Sequence, residues 1–195
     1  MKRKIEESKI HALLYGSAIL GGGGGGSFKA GEETIKAAFK IGNPIIIDIE
    51  DLYGEKGLII TTSAVGAPAS KEQFVKSEDY NKIIELIEKE TGEKPIAFIT
   101  NEIGGESTFN AFIQSAKTGI PMLDAACNGR AHPLGTMGAM GLNEKKDYVT
   151  VQTAVGGNPD LENYIEMVVK GSVAKTSSLI RSAAVQAGGL VVVAR

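Results

Sequence analysis

The chain has 195 residues, of which 43% are hydrophobic, so it is long enough to bury one sizeable core. Its 21 basic and 23 acidic residues leave a net charge of -2, and without a basic surplus we expect neither nucleic acid nor a membrane surface as a partner. One cysteine cannot form an internal disulfide, and no apolar signal or membrane segment follows the basic start, so we expect a cytoplasmic protein.

Two kinds of apolar pattern alternate along the chain. Apolar residues three or four apart indicate amphipathic helices, and short β-branched runs indicate strands buried on both faces. A helix with Ile10 and Leu14 on one face ends at Leu20, where six glycines begin, and a second helix around Ile35 stops before Pro44. The predicted strands are residues 45–49, 58–62, 95–100, 120–123, 148–151 and 190–194.

Four further helices are predicted between and after these strands. Ser77 is the expected N-cap of a helix that carries Ile83 and Ile87, and Gly119 ends a helix that begins near Phe109. The other two predicted helices are residues 161–169 and 176–187. Strands that alternate with helices predict one layered α/β domain over residues 1–195, with a mostly parallel sheet flanked by helices on both faces.

The six consecutive glycines, residues 21–26, lie between two predicted helices. In such a loop backbone amides can turn towards an anion or a polar carbonyl, so phosphate, carboxylate or an imide ring are candidate ligands. The run lacks the Gly-Lys-Ser/Thr ending of a P-loop and does not follow a strand, which argues against nucleotide binding. A flexible connector is the alternative. The predicted ligand contacts are Gly22, Gly23, Gly24, Gly25 and Gly26.

Polar residues and glycines follow the predicted strand that ends at Thr100, where ligands of α/β proteins commonly bind. Glu102 precedes a helix and is a candidate base, metal ligand or hydrogen-bond acceptor; its alternative role is to cap the turn. Asn110 either orients a ligand or faces solvent. The candidate ligand-binding residues of this stretch are Asn101, Gly104, Gly105 and Asn110.

Residues 124–133 combine an acid, a thiol, an amide, a guanidinium and an imidazole. Arg130 can hold a carboxylate or a carbonyl, and Asp124 or His132 can move a proton or bind a divalent metal. Cys127 is either a nucleophile with His132 as base or a buried small apolar residue. No spacing here matches a structural zinc site.

The candidate residues sort into three roles. The candidate catalytic residues are Glu102, Asp124, Cys127, Arg130 and His132. Asn128 and Gly129 join the candidate ligand-binding residues, and a possible divalent metal would have Asp124, His132 and Glu102 as its candidate ligands.

Three stretches of the sequence occur in a recognisable order: Leu20 with the glycine run, Glu102-Ile103-Gly104-Gly105 with Asn110, and Asp124 with Gly129-Arg130-Ala131 and Pro133. Together they resemble the N-terminal domain of the S-methyl thiohydantoin desulfurase-like family, over nearly the whole chain. The resemblance implies a hydrolase-like enzyme acting on a small cyclic imide such as a thiohydantoin or hydantoin. It also implies a second, β-rich domain that these 195 residues do not include.

Two other functions remain as alternatives. Alanine stands at position 126, where the resembling family commonly has a second acid, so the chain is alternatively a non-catalytic module that binds a small ligand. A structural subunit is the other alternative. It would work as a homo-oligomer or with a separate subunit of the C-terminal type.

Overall fold

The computed structural model describes the chain except residues 1, 67–69, 133, 134 and 136. The described residues form five α-helices and eight β-strands, joined by loops and short 3-10 turns. The helices are α1 Ile10–Gly21, α2 Phe28–Ile41, α3 Asp79–Thr91, α4 Phe112–Thr118 and α5 Val173–Gln186. The strands are β1 Arg3–Lys4, β2 Ile45–Ile47, β3 Leu58–Gly66, β4 Pro95–Thr100, β5 Met122–Ala126, β6 Thr150–Gly156, β7 Ile165–Gly171 and β8 Leu190–Ala194.

The strands follow the hydrogen-bonded order β1-β2-β5-β4-β3-β8-β6-β7. Strand β5 pairs in parallel with β2 and with β4, as helical crossovers require. Strands β1 and β2, β3 and β8, β8 and β6, and β6 and β7 pair antiparallel. The fold is therefore mixed α/β, and the prediction of a mostly parallel sheet is wrong, since β7 follows β6 through a turn without a helical crossover.

The described chain divides into two compact units. The first comprises Met1–Thr61, Lys94–Leu134 and Gly138–Met140, and its core includes Phe98 and Phe109. Helix α2 begins at Phe28 because the Ser27 hydroxyl accepts a hydrogen bond from the Ala30 amide at 3.1 Å. This unit contains the candidate site.

The second unit comprises Thr62–Glu93, Gly135–Met137 and Gly141–Arg195. One core cluster lies where α5 covers β6 and β8, with Ile180 and Ala184 packed against Val191 and Val193. Small side chains let the helix approach the strands closely. On the other side, the Thr153 hydroxyl donates to the Ile83 carbonyl in α3 at 2.9 Å, so polar groups also fix this unit.

Two predicted elements differ from the structure. Residues 161–169, predicted as a helix, lie mainly in strand β7, because their burial alternates with a period of two: Met167 and Val169 pack on the core, whereas Lys170 is exposed. Ser77 does not cap α3. The helix begins at Asp79, whose carboxylate accepts a hydrogen bond from the Lys76 amide at 2.7 Å.

The other predicted elements are confirmed with shifted ends, and the two-residue strand β1 was not predicted. Within the described ranges, no helix has both the length and the apolar character that a membrane crossing requires.

Candidate functional site

The glycine run lies against the loop that follows β4. The amides of Glu106 and Ser107 both donate to the Gly25 carbonyl, at 2.7 and 2.8 Å, and the Gly105 amide donates to the Gly24 carbonyl at 3.2 Å. These backbone hydrogen bonds fix the path of the run. A free connector, the alternative considered for this segment, is therefore excluded.

Contact distances explain why glycine occupies these positions. A Cβ atom at Gly104 would lie 2.5 Å from the Cα of Gly25, and one at Gly25 would lie 2.6 Å from the Cα of Gly104. Gly25 also has a φ of +74°, which side chains disfavour. At Gly24, a Cβ atom would lie 2.7 Å from the Cβ of Ala131. The absence of side chains at Gly24, Gly25 and Gly104 thus allows the glycine run to pack closely against its neighbouring loops.

Gly23, unlike these glycines, lies open, and three amides of the run have no backbone acceptor among the described residues. A Cβ atom at Gly23 would meet no atom within 4 Å. Within the described residues, the amides of Gly23, Gly25 and Gly26 donate to no backbone carbonyl. The exposed Arg130 places its Nη1 3.3 Å from the position of a Cβ at Gly22. Backbone amides and a guanidinium therefore lie close together at this loop.

A short parallel bridge joins residues 129–131 to the loop after β4. The Ile103 amide donates to the Gly129 carbonyl, and the Ala131 amide donates to the Ile103 carbonyl, both at 2.8 Å. Because Arg130 lies between these two hydrogen-bonded residues, its backbone position is fixed beside the glycine run. The structure thus brings together all three stretches that carry candidate residues.

Two of the three candidate asparagines, Asn101 and Asn128, hydrogen-bond to each other. The Asn128 Nδ2 donates to Asn101 Oδ1 at 3.1 Å, and the Asn128 amide donates to the Asn101 carbonyl at 2.8 Å. Asn128 Oδ1 also accepts from the Gly138 amide at 3.1 Å. These hydrogen bonds of Asn101 and Asn128 therefore fix the loop. They leave fewer polar atoms of the two asparagines free to bind a ligand. Gly129, with a φ of +75°, allows the turn that follows.

Two half-buried carboxyls belong to the loop after β4, which contacts the glycine run. Burial raises the pKa of Glu102, although the hydrogen bond from the His132 amide, at 2.9 Å, and the nearby imidazole oppose the shift. Burial also raises the pKa of Glu106, and the charge of Glu33 adds to that effect. Glu106 Oε2 lies 2.5 Å from the position of a Cβ at Gly26. Both groups bind a proton more tightly than an exposed glutamate does.

Neither Glu106 nor Ser107 is among the candidate residues predicted from the sequence. The Ser107 Oγ atom is buried, has no hydrogen-bond partner among the described residues, and lies between Gly25 and Gly104. The only sequence signal for both was their place directly after the glycine pair. Thr108, which follows them, closes the loop: its hydroxyl donates to the Gly104 carbonyl at 2.8 Å.

Asp124 lies on β5, exposed, and its carboxylate is 3.8 Å from the Arg3 guanidinium. Arg3 also donates to Asp48 at 2.7 Å. Asp124 therefore has a charged neighbour, Arg3 on β1. Within the described residues, it makes no hydrogen bond or salt bridge with the glycine run.

Cys127 is fully buried, with its sulfur 3.0 Å from the Thr61 hydroxyl. Asn110 is 3% exposed, so it does not face solvent. His132 is exposed, and Pro133 lies outside the described residues. Across the described positions, no three His, Cys, Asp or Glu side chains come together in a way that could hold a metal ion.

Comparison with protein families identifies the chain. The family model described as S-Me-THD-like, N-terminal domain, matches residues 8–161. The chain belongs to the S-Me-THD-like family. No curated protein matches this S-Me-THD-like chain.

One solved structure shares the fold of the S-Me-THD-like chain. It is the crystal structure of a protein from Chromobacterium violaceum, determined by the Northeast Structural Genomics Consortium, with a TM-score of 0.71 and 19% sequence identity. The match covers 100% of this chain and 54% of that protein. The S-Me-THD-like chain thus spans about half of its solved neighbour, and at this identity the likeness shows the fold alone.

Proposed function

We propose that this S-Me-THD-like chain binds a small cyclic imide, such as a thiohydantoin or a hydantoin, at the glycine run and acts on it as a hydrolase. One observation carries the proposal. The Arg130 guanidinium lies beside Gly22, and the Glu106 carboxylate lies beside Gly26. The Glu102 carboxylate accepts a hydrogen bond from the amide of His132, two residues after Arg130, and burial raises the pKa of both glutamates.

The chemistry of the ring matches these groups. A hydantoin carries carbonyl oxygens that accept hydrogen bonds and ring N–H groups that donate them. The amides of Gly23, Gly25 and Gly26, together with Arg130, supply donors, and a glutamate carboxylate supplies an acceptor. Because no side chain stands at Gly23, a flat ring can approach the backbone there.

In the proposed reaction, the oxygen of water forms a bond to the ring carbon that carries the leaving group, which is the methylthio substituent of S-methyl thiohydantoin or the ring nitrogen of an amide bond in hydantoin and 5-oxoproline. Glu102 takes the proton from the water and passes it to the leaving group, whose bond to that carbon breaks. Arg130 and the loop amides stabilise the negative charge that develops on the ring. Glu102 suits this role because its raised pKa brings it closer to neutral pH.

The test incubates the purified chain with S-methyl thiohydantoin, hydantoin and 5-oxoproline, with and without divalent metal, and follows products by mass spectrometry. We expect turnover of at least one compound, and a loss of about 10²-fold or more in Glu102→Gln and in Arg130→Ala. Arg181→Ala, which removes an exposed arginine from α5, is the matched control and should retain full activity. Full activity in the Glu102 and Arg130 variants would remove both residues from the mechanism.

A module that binds the ring without reacting is the second candidate. Its support is that Cys127 is fully buried against Thr61 and that Asp124 contacts Arg3, so two predicted catalytic groups have partners outside the glycine run. In that case the same incubation gives no product, while calorimetric titration with hydantoin still shows binding that Arg130→Ala weakens.

A further inference from the structure

A cavity lies in the second compact unit, and none of its lining residues is assigned to the cyclic imide. It has a volume of about 230 Å³ and lies where the segment before α3 meets the turn between β6 and β7. Its lining residues are Phe74, Lys76, Asp79, Gly157, Pro159 and Tyr164. It therefore combines two aromatic rings with one carboxylate and one ammonium.

Backbone contacts fix the walls of this cavity. The Gly157 amide donates to the Phe74 carbonyl at 3.0 Å, which ties the segment before α3 to the turn. Gly157 has a φ of +89°, and a Cβ atom there would overlap the Asn163 carbonyl oxygen. Only glycine fits this position. Main-chain contacts thus fix the position of Gly157 in the cavity wall.

The carboxylate of Asp79 is nearly buried, since the residue is 7% exposed. One of its oxygens accepts a hydrogen bond from the Lys76 amide at 2.7 Å, and within the described residues Asp79 forms no salt bridge. A carboxylate in such surroundings favours a cation as its neighbour, because an uncompensated charge is costly away from water.

The aromatic walls favour the same kind of ligand. The Lys76 ammonium lies 5.4 Å from the centre of the Phe74 ring, within the range of a cation–π contact, so this ring already attracts a cation. The second lining ring is that of Tyr164, whose hydroxyl donates to Glu166 at 2.8 Å, and this hydrogen bond orients the ring. Burial and the Glu166 carboxylate raise the pKa of Tyr164 to about 12, so the ring stays neutral at physiological pH.

We propose that this cavity binds a small organic ammonium ion between Phe74, Tyr164 and Asp79. The Lys76 ammonium occupies the approach to Phe74 and competes with the ligand. The site is separate from the proposed hydrolase site, so either can exist without the other.

The experiment titrates the full chain with tetramethylammonium chloride and follows the amide resonances of Phe74, Gly157 and Tyr164 by NMR. Sodium chloride at equal concentration controls for ionic strength, and tert-butanol is an uncharged probe of similar size. We expect saturable shifts with tetramethylammonium only. Equal shifts with tert-butanol, or none with the ammonium ion, would overturn the proposal.

Three variants test the contribution of individual cavity residues to ligand binding. Phe74→Leu should weaken binding by about three- to ten-fold, and Asp79→Asn, which keeps an acceptor for the Lys76 amide, should also weaken it. Lys76→Met should tighten binding because it removes the competing ammonium. Tyr53→Leu, an exposed aromatic of the first unit, is the control and should leave the affinity unchanged. Unchanged affinity in Phe74→Leu would contradict the site even if Asp79→Asn failed to fold.

Discussion

The carboxyls of Glu102 and Glu106 have different surroundings, although the two residues are of the same type. Both are glutamates in one loop, and both have a pKa raised by burial. Glu102 accepts a hydrogen bond from the His132 amide, whereas Glu106 faces Gly26 and the charge of Glu33. The hydrogen bond stabilises the charged form of Glu102, and the like charge destabilises that of Glu106.

Removing the charge of Glu106 should therefore stabilise the fold at neutral pH. Since its pKa is higher in the folded chain than in the unfolded chain, its contribution to stability is complete below the unfolded pKa and is lost as pH rises through the folded pKa. We expect Glu106→Gln to unfold at a higher Tm than the wild type at pH 7, with a smaller difference near pH 4.

Thermal unfolding followed by circular dichroism at the two pH values measures this effect. Glu85→Gln, an exposed glutamate on α3, should show no comparable pH-dependent gain. A Glu106→Gln variant that is less stable than the wild type at pH 7 would show that the carboxylate makes a favourable contact.

Among the elements, the close contact between the glycine run and the loop after β4 sets the geometry of the site. The contact exists because both segments lack side chains where they meet. Sequence reasoning predicted that these glycines belong to a site. It did not predict that several of them pack against Gly104 and Ala131, because such pairing depends on tertiary contacts between segments far apart in the sequence.

A methyl group at Gly104 should disrupt this contact. Its Cβ would lie 2.5 Å from the Cα of Gly25 and 2.6 Å from the Gly24 carbonyl oxygen, so one backbone must move. We expect Gly104→Ala to lower the free energy of unfolding by about 1–3 kcal/mol, measured by urea denaturation.

Gly16→Ala is the matched control, because Gly16 lies inside α1 and a Cβ there meets no atom within 4 Å. This substitution should raise stability by about 0.5–1 kcal/mol, as alanine favours a helix. If Gly104→Ala were as stable as Gly16→Ala, the close contact would not constrain the loop.

At the scale of the whole molecule, apolar patterns located most helices and strands but not the direction of the strands. A short buried run looks the same whether its neighbours are parallel or antiparallel. Strand β7 was mistaken for a helix because Leu161, Ile165 and Val168 also fit a spacing of three to four. Burial that alternates along Ile165–Gly171 becomes visible only when the strand is paired with β6.

The pairing pattern predicts which amides exchange slowest. Strand β8 is paired with both β3 and β6, and Val191, Val192 and Val193 are fully buried. We expect β8 to show the strongest protection in hydrogen exchange, and the exposed two-residue strand β1 the weakest among the strands. Equal exchange in β8 and β1, measured by mass spectrometry of peptides, would contradict this order.

Alkylation of the buried Cys127 thiol can report local unfolding of the protein. Because it is the only cysteine of the chain and is 0% exposed, a thiol-alkylating reagent should leave the native protein unlabelled and add one group once this region opens. The labelling rate at rising reagent concentration would then reach a plateau equal to the opening rate around Cys127. No engineered label is needed to time that event.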